Sequence, residues 1–80
     1  MSSPHKFQTA RERFARNLRN WRVKRGMSQE TLSEKAGLSR VYISRVENCV
    51  DTVSLDNIEK LAEVLKIDIL DLLLPYGPAP

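Results

Sequence analysis

Arg40, Val41, Ser44 and Arg45 fall on one side of a short predicted helix, with the apolar Ile43 and Val46 on the other. Arginine offers a planar fork of donors, serine a small hydroxyl and valine a methyl surface. A helix that shows such groups outward can enter a DNA major groove. It is the second helix of a two-helix unit over residues 28–48. Ser28 can cap the first by accepting N–H groups that its opening turn leaves unpaired. Leu32 and Ala36, four apart, share the inner face of that first helix. Gly37 suits the left-handed residue that stops it, Leu38 packs into the angle, and Ser39 caps the second helix.

The chain around this unit has 80 residues, of which 41% are hydrophobic and 29% charged. That is enough for one globular domain with a modest core. Its net charge of +3 hides a division. Residues 1–50 carry eleven Lys/Arg against four acids, a balance of +7; residues 51–80 carry two Lys against six acids, a balance of −4. Basic charge gathered at one end favours a polyanionic partner. No apolar run is long enough to span a bilayer. The opening residues lack the apolar core of a secretion signal, and Cys49 is the single cysteine, so a reducing cytoplasm is expected.

In chain order, residues 1–6 read as a flexible arm, 7–74 as the folded domain and 75–80 as a flexible tail. Helical spacing runs from about Phe7 to Arg25, with Phe7, Phe14, Leu18 and Trp21 on one face. Arg11, Arg13, Arg16, Arg19, Lys24 and Arg25 cover the rest. That basic face admits three readings: solvated surface, a phosphate contact, or a membrane-surface helix. The two-helix unit downstream argues against the third. After a linker over residues 49–53, Ser54 caps a helix whose Leu55, Ile58, Leu61, Ala62 and Leu65 recur at three and four. Asp68 caps a last short helix from Ile69 to about Leu74, stopped by Pro75. Leu70 and Leu73 are expected to point inward there. Ile69, Leu72 and Leu74, with Tyr76 behind, are then left as an exposed apolar patch, expected to pair with a second copy as a homodimer.

Catalytic and ligand-binding patterns are missing from the sequence. Glycine occurs only at positions 26, 37 and 77, so no Gly-rich phosphate loop can form. No CxxC or HExxH occurs, and His5 has no second histidine or cysteine cluster to bind a metal with. We therefore expect no enzymatic activity, no metal or cofactor and no small-molecule ligand.

The run from Met27 to Asn48, with its SQxxL, AG, IS and EN elements at these spacings, resembles the helix-turn-helix of the lambda-repressor/Cro superfamily, or XRE family. The likeness extends back to about Leu18 and on to Leu73. Within the family it is most similar to restriction–modification controller proteins and small phage repressors. The resemblance implies an all-α bundle of five helices and homodimeric binding to paired half-sites in double-stranded DNA. It places Arg40, Val41, Ser44 and Arg45 at base-reading positions. Either arginine can grip guanine O6 and N7, and Val41 can meet a thymine methyl. Gln29 and Asn48 fall at phosphate-contacting positions, with Arg19 and Ser39 as further phosphate candidates. For the Tyr42 hydroxyl, a phosphate and the chain's own backbone are both open. Arg22 and Glu47 match a pair that forms an internal salt bridge in several members.

Three departures stand out. Cys49 occupies a position where the family usually has glycine. The linker carries Asp51 and no basic residue, and the first helix is longer and more basic than usual. A transcriptional regulator, of repressor or autoregulating controller type, is the leading expectation. An antitoxin built on the same core and a helical protein-interaction module are the alternatives, because fold alone does not fix function.

Overall fold

Each helix starts at a residue whose side chain can replace a missing backbone partner. In the computed structural model, which describes residues 9–75, four α-helices and one 3-10 helix follow in order: α1 (Ala10–Lys24), α2 (Gln29–Ala36), α3 (Arg40–Glu47), α4 (Leu55–Leu65) and the 3-10 helix Ile69–Leu72. Ser28, Ser39 and Ser54 accept from the N–H groups of Thr31, Tyr42 and Asn57 at 3.0, 3.0 and 3.1 Å. Asp68 accepts from the Leu70 N–H at 2.8 Å. At the head of α1, Thr9 Oγ1 accepts from the Glu12 N–H (3.1 Å) while Glu12 Oε1 accepts from the Thr9 N–H (2.8 Å). This reciprocal box starts the helix at Ala10, three residues later than expected from Phe7. Phe7 itself, with the 1–6 arm, lies outside the described residues, as does Tyr76.

The class is all-α, with no strand among the described residues, but the expected five-helix count needs correction. The last element closes after a single 3-10 turn, and Leu73, with φ −120, has already left it. Leu70 and Leu73 therefore do not share a helix face. Leu73 still packs partly buried against the core, but Leu72 also points inward and is 0% exposed, whereas Leu70 is 61% exposed. Leu72 belongs to the core and is removed from the dimer-surface candidates. Ile69 stays exposed and Leu74 is half-buried.

Around Leu72 the core joins Phe14 and Leu18 of α1, Leu32 of α2, Ile43 and Val46 of α3, and Ile58, Leu61 and Leu65 of α4. Full burial of each such side chain stabilises by about 1.5–3 kcal/mol before entropy is counted. Leu55 is the exception on the α4 stripe: at the first position of the helix it is 78% exposed, beyond the edge of the core. Trp21 is partly buried, and Arg25 lies over its ring at 5.0 Å while its Nε donates to the Leu65 carbonyl at 2.8 Å. That contact satisfies an open carbonyl at the end of α4. Asn17, fully buried in α1, donates from Nδ2 to the Leu74 carbonyl at 2.8 Å, and Arg16 donates to the Pro75 carbonyl. The C-terminal segment is thus tied to the middle of α1.

Candidate nucleic-acid interface

The turn between α2 and α3 sets which side of the second helix meets the core. Gly37 takes φ 71 at the end of α2, a left-handed conformation that costs glycine little, and the Leu38 N–H returns to the Ser33 carbonyl at 2.9 Å. α3 then turns Ile43 and Val46 into the core. At 3.6 residues per turn, the direction opposite those two runs through Val41 and Arg45. Val41 is 60% exposed, and Arg40 and Arg45 are exposed beside it. All four proposed base-reading residues therefore lie along the outer half of the helix, although Ser44 is half-buried.

Underneath, one carboxylate gathers three helices. Glu47 of α3 accepts from Arg22 Nε at 2.7 Å and Nη2 at 3.0 Å, both from α1, and from Gln29 Nε2 of α2 at 3.1 Å. The Arg22 Nη1 donates to the Met27 carbonyl at 2.8 Å. The salt bridge implied for Arg22 and Glu47 is present, with side chains 12% and 3% exposed. Gln29, a phosphate candidate at the head of α2, has its amide engaged with this carboxylate.

The remaining phosphate candidates lie in different settings. Arg19 and Asn48 border one shallow hollow between α1 and the end of α3. The Asn48 amide folds back onto the Ser44 carbonyl at 2.8 Å. Ser39 is exposed at the head of α3, with its hydroxyl accepting from Tyr42 N–H. Of the two partners open to Tyr42, the structure gives the backbone: its hydroxyl donates to the Thr52 carbonyl (3.4 Å) and accepts from Asn57 Nδ2 (3.1 Å). Tyr42 thereby holds the α3–α4 connection against α4.

That connection turns sharply at Cys49, with φ 62. The tight turn expected of glycine is kept with a side chain in place. The Cys49 and Val50 N–H groups return to the Val46 and Arg45 carbonyls at 3.0 and 2.8 Å. The turn delivers Asp51 to Arg45, where the two form a bidentate pair: Nε to Oδ2 at 2.8 Å and Nη2 to Oδ1 at 3.0 Å. Their hydrogen bonds hold the Asp51 carboxyl below the usual carboxylate range, against partial desolvation and helped by the charges of Arg45 and Arg11. The same bonds push the Arg45 guanidinium up, with the Asp51 charge adding. Sequence reasoning missed this pair because a six-residue spacing that leaves the helix matches no helical neighbour rule.

The helix-turn-helix profile HTH_3 matches residues 18–72. A hypothetical transcription factor of Neisseria meningitidis is 44% identical over 68 residues, covering 85% of this chain and 64% of that protein, so the chain spans less than two thirds of that relative's length. The restriction–modification controller C.AhdI from Aeromonas hydrophila superposes with a TM-score of 0.75 at 44% identity, covering 78% of this chain and 94% of that one. The biofilm master regulator SinR, solved in complex with DNA, superposes with a TM-score of 0.73 at 29% identity, covering 76% of this chain and 98% of that one. The match over residues 18–72 and the helix-turn-helix of α2 and α3 place the chain in the HTH_3, or XRE, family. Its homologues in that family include restriction–modification controller proteins.

Proposed function

We propose that the chain is a sequence-specific transcriptional regulator that binds a pseudo-palindromic DNA site as a homodimer, in the manner of a repressor or autoregulating controller. The observation that carries this is the outer face of α3. Val41 and Arg45 lie at its centre and Arg40 at its edge, and none of them has a core role to explain it. The +7 balance of residues 1–50 adds the non-specific attraction that such binding draws on. Ile69 and Leu70, consecutive and exposed on the 3-10 helix, supply an apolar surface for the second copy, with the half-buried Leu74 following in the chain.

In this reading α3 enters the major groove. Arg40 and Arg45 donate to guanine edges, Val41 meets a thymine methyl and Ser44 hydrogen-bonds at close range. Arg19, Ser39, Asn48 and the head of α2 face the sugar–phosphate backbone. Selection of binding sites from random DNA at two salt concentrations tests it. The expected product is one inverted repeat with half-site centres about 10 base pairs apart. Equal, steeply salt-dependent binding to every sequence would instead mark a basic module without a reading function.

A further inference from the structure

Arg45 is a base-reading candidate whose guanidinium is already held. Asp51 takes its Nε–H and one Nη2–H, at 2.8 and 3.0 Å. A guanidinium has five N–H donors in a rigid plane. With one long edge occupied, the donors left are the two on Nη1 and the outer one on Nη2. Two of these point off the end of the group side by side, the spacing that meets guanine O6 and N7. The Arg45 side chain is 51% exposed, so this free end faces solvent and not the core. Asp51 is in turn set by the Cys49 turn and by the Asp51 N–H donating to the Arg45 carbonyl at 3.4 Å.

Resting on the DNA-reading function proposed above, we infer that Asp51 is a positioning residue for base reading: its carboxylate fixes the Arg45 guanidinium so that the free end, and only that end, is presented to guanine. This assigns a use to the acidic linker. A carboxylate near DNA repels phosphate and weakens general affinity. Here that loss is set against selectivity, because a guanidinium free to rotate can satisfy its donors on phosphates or other base edges, whereas a held one cannot.

Site selection and competition titrations on the full chain test this, with discrimination measured at every base pair of the half-site. Arg45→Ala identifies the base pair that Arg45 sets. Asp51→Asn is expected to lower discrimination at that pair about tenfold and leave the other pairs within about twofold. Non-specific DNA should bind equally well or more tightly, since a negative charge is gone. Added to Arg45→Ala, Asp51→Asn should change nothing further at that pair. Asp51→Glu, which keeps the carboxylate, should retain more discrimination than Asp51→Asn. Unchanged or sharper discrimination in Asp51→Asn, equal relaxation at all pairs, or the reverse order of Glu and Asn overturns the inference while leaving the DNA-reading function intact. A wild-type chain that selects no sequence overturns both.

Discussion

Arg22 and Glu47, 25 residues apart in sequence, meet through two hydrogen bonds in a setting where little of either side chain reaches water. The pair fastens the underside of α3 to α1, opposite the face proposed to read DNA. A buried pair of this kind adds little net stability compared with apolar residues of similar size, but removing one partner strands the other charge. Its value is in orienting the helix.

From this, Glu47→Ala should destabilise the chain by about 3 kcal/mol, because it leaves Arg22 and the Gln29 amide without their acceptor. Urea unfolding followed by circular dichroism measures it. The double replacement Arg22→Met with Glu47→Leu should recover most of that loss in the same assay. Recovery of stability without recovery of site-specific DNA binding would separate orientation from folding.

Arg40→Ala should weaken binding to the selected site by about 1–3 kcal/mol and relax preference at one base pair. It removes no contact in the core, so thermal unfolding should be unaffected. Repeating the site selection with this variant checks the assignment, and an unchanged sequence preference would rule out Arg40 as a reading residue.

The two leucines of the 3-10 helix should respond in opposite ways. Leu72→Ala opens a cavity in the core and should cost about 3 kcal/mol of stability. Leu70→Glu should leave helix content intact but shift the homodimer proposed above to monomer, as read by light scattering against the wild-type chain. A Leu70→Glu chain with unchanged mass would place the dimer surface elsewhere.

This pair of residues also marks where the sequence stopped being informative. Caps at Ser28, Ser39, Ser54 and Asp68, and the stop at Gly37, were legible because each depends on a residue and its next few neighbours. So was the inward stripe of α3. Leu70 and Leu72 hold the reverse of the places a continuing α-helix gives them, because a four-residue 3-10 turn places them by how it seats on α1 and α4. The Thr9-to-Glu12 box was visible as a pattern and would have moved the start of α1 from Phe7 to Ala10. The outward side of α3 is therefore legible in the sequence, while the contacts its side chains make, Arg45 with Asp51 and Tyr42 with Thr52 and Asn57, depend on the path of a loop.

Among the described residues, two other than glycine hold left-handed backbone, Cys49 at φ 62 and Lys66 at φ 60. That conformation costs an L-residue about 1–2 kcal/mol, offset in part by the greater freedom glycine has when unfolded. Cys49→Gly and Lys66→Gly should each stabilise by about 0.5–1 kcal/mol, or roughly 2–8 °C in Tm for a domain of this size. Calorimetry on each variant, with Lys66→Ala as a control expected to gain nothing, isolates the backbone effect from loss of the side chain.

The Arg45–Asp51 pair gives a pH signature. Because the Asp51 carboxyl is lowered in the folded chain, the stability from pairing is complete above the ordinary carboxylate pKa of about 3.9 and is lost as pH falls through the lowered folded value. The unfolding difference between wild type and Asp51→Asn should be constant between about pH 5 and 8 and shrink only below about pH 4. An NMR titration of the Asp51 carboxyl should show its midpoint below that of an unfolded peptide, and Arg45→Ala should move the midpoint back up.

The hold of Asn17 and Arg16 on the carbonyls of Leu74 and Pro75 has a geometric consequence for two copies of the chain. In a homodimer built on Ile69 and Leu70, the path from the twofold axis to each α3 runs through α1, which grips the C-terminal segment near its middle and Glu47 near its end. Packed helix carries that path, so α1 would act as a ruler. One base pair added between half-sites rotates one of them by about 35° around the DNA axis, and a ruler of fixed length cannot follow it. For the homodimer proposed above, operator spacing would then depend on a buried asparagine as much as on the residues proposed to touch bases.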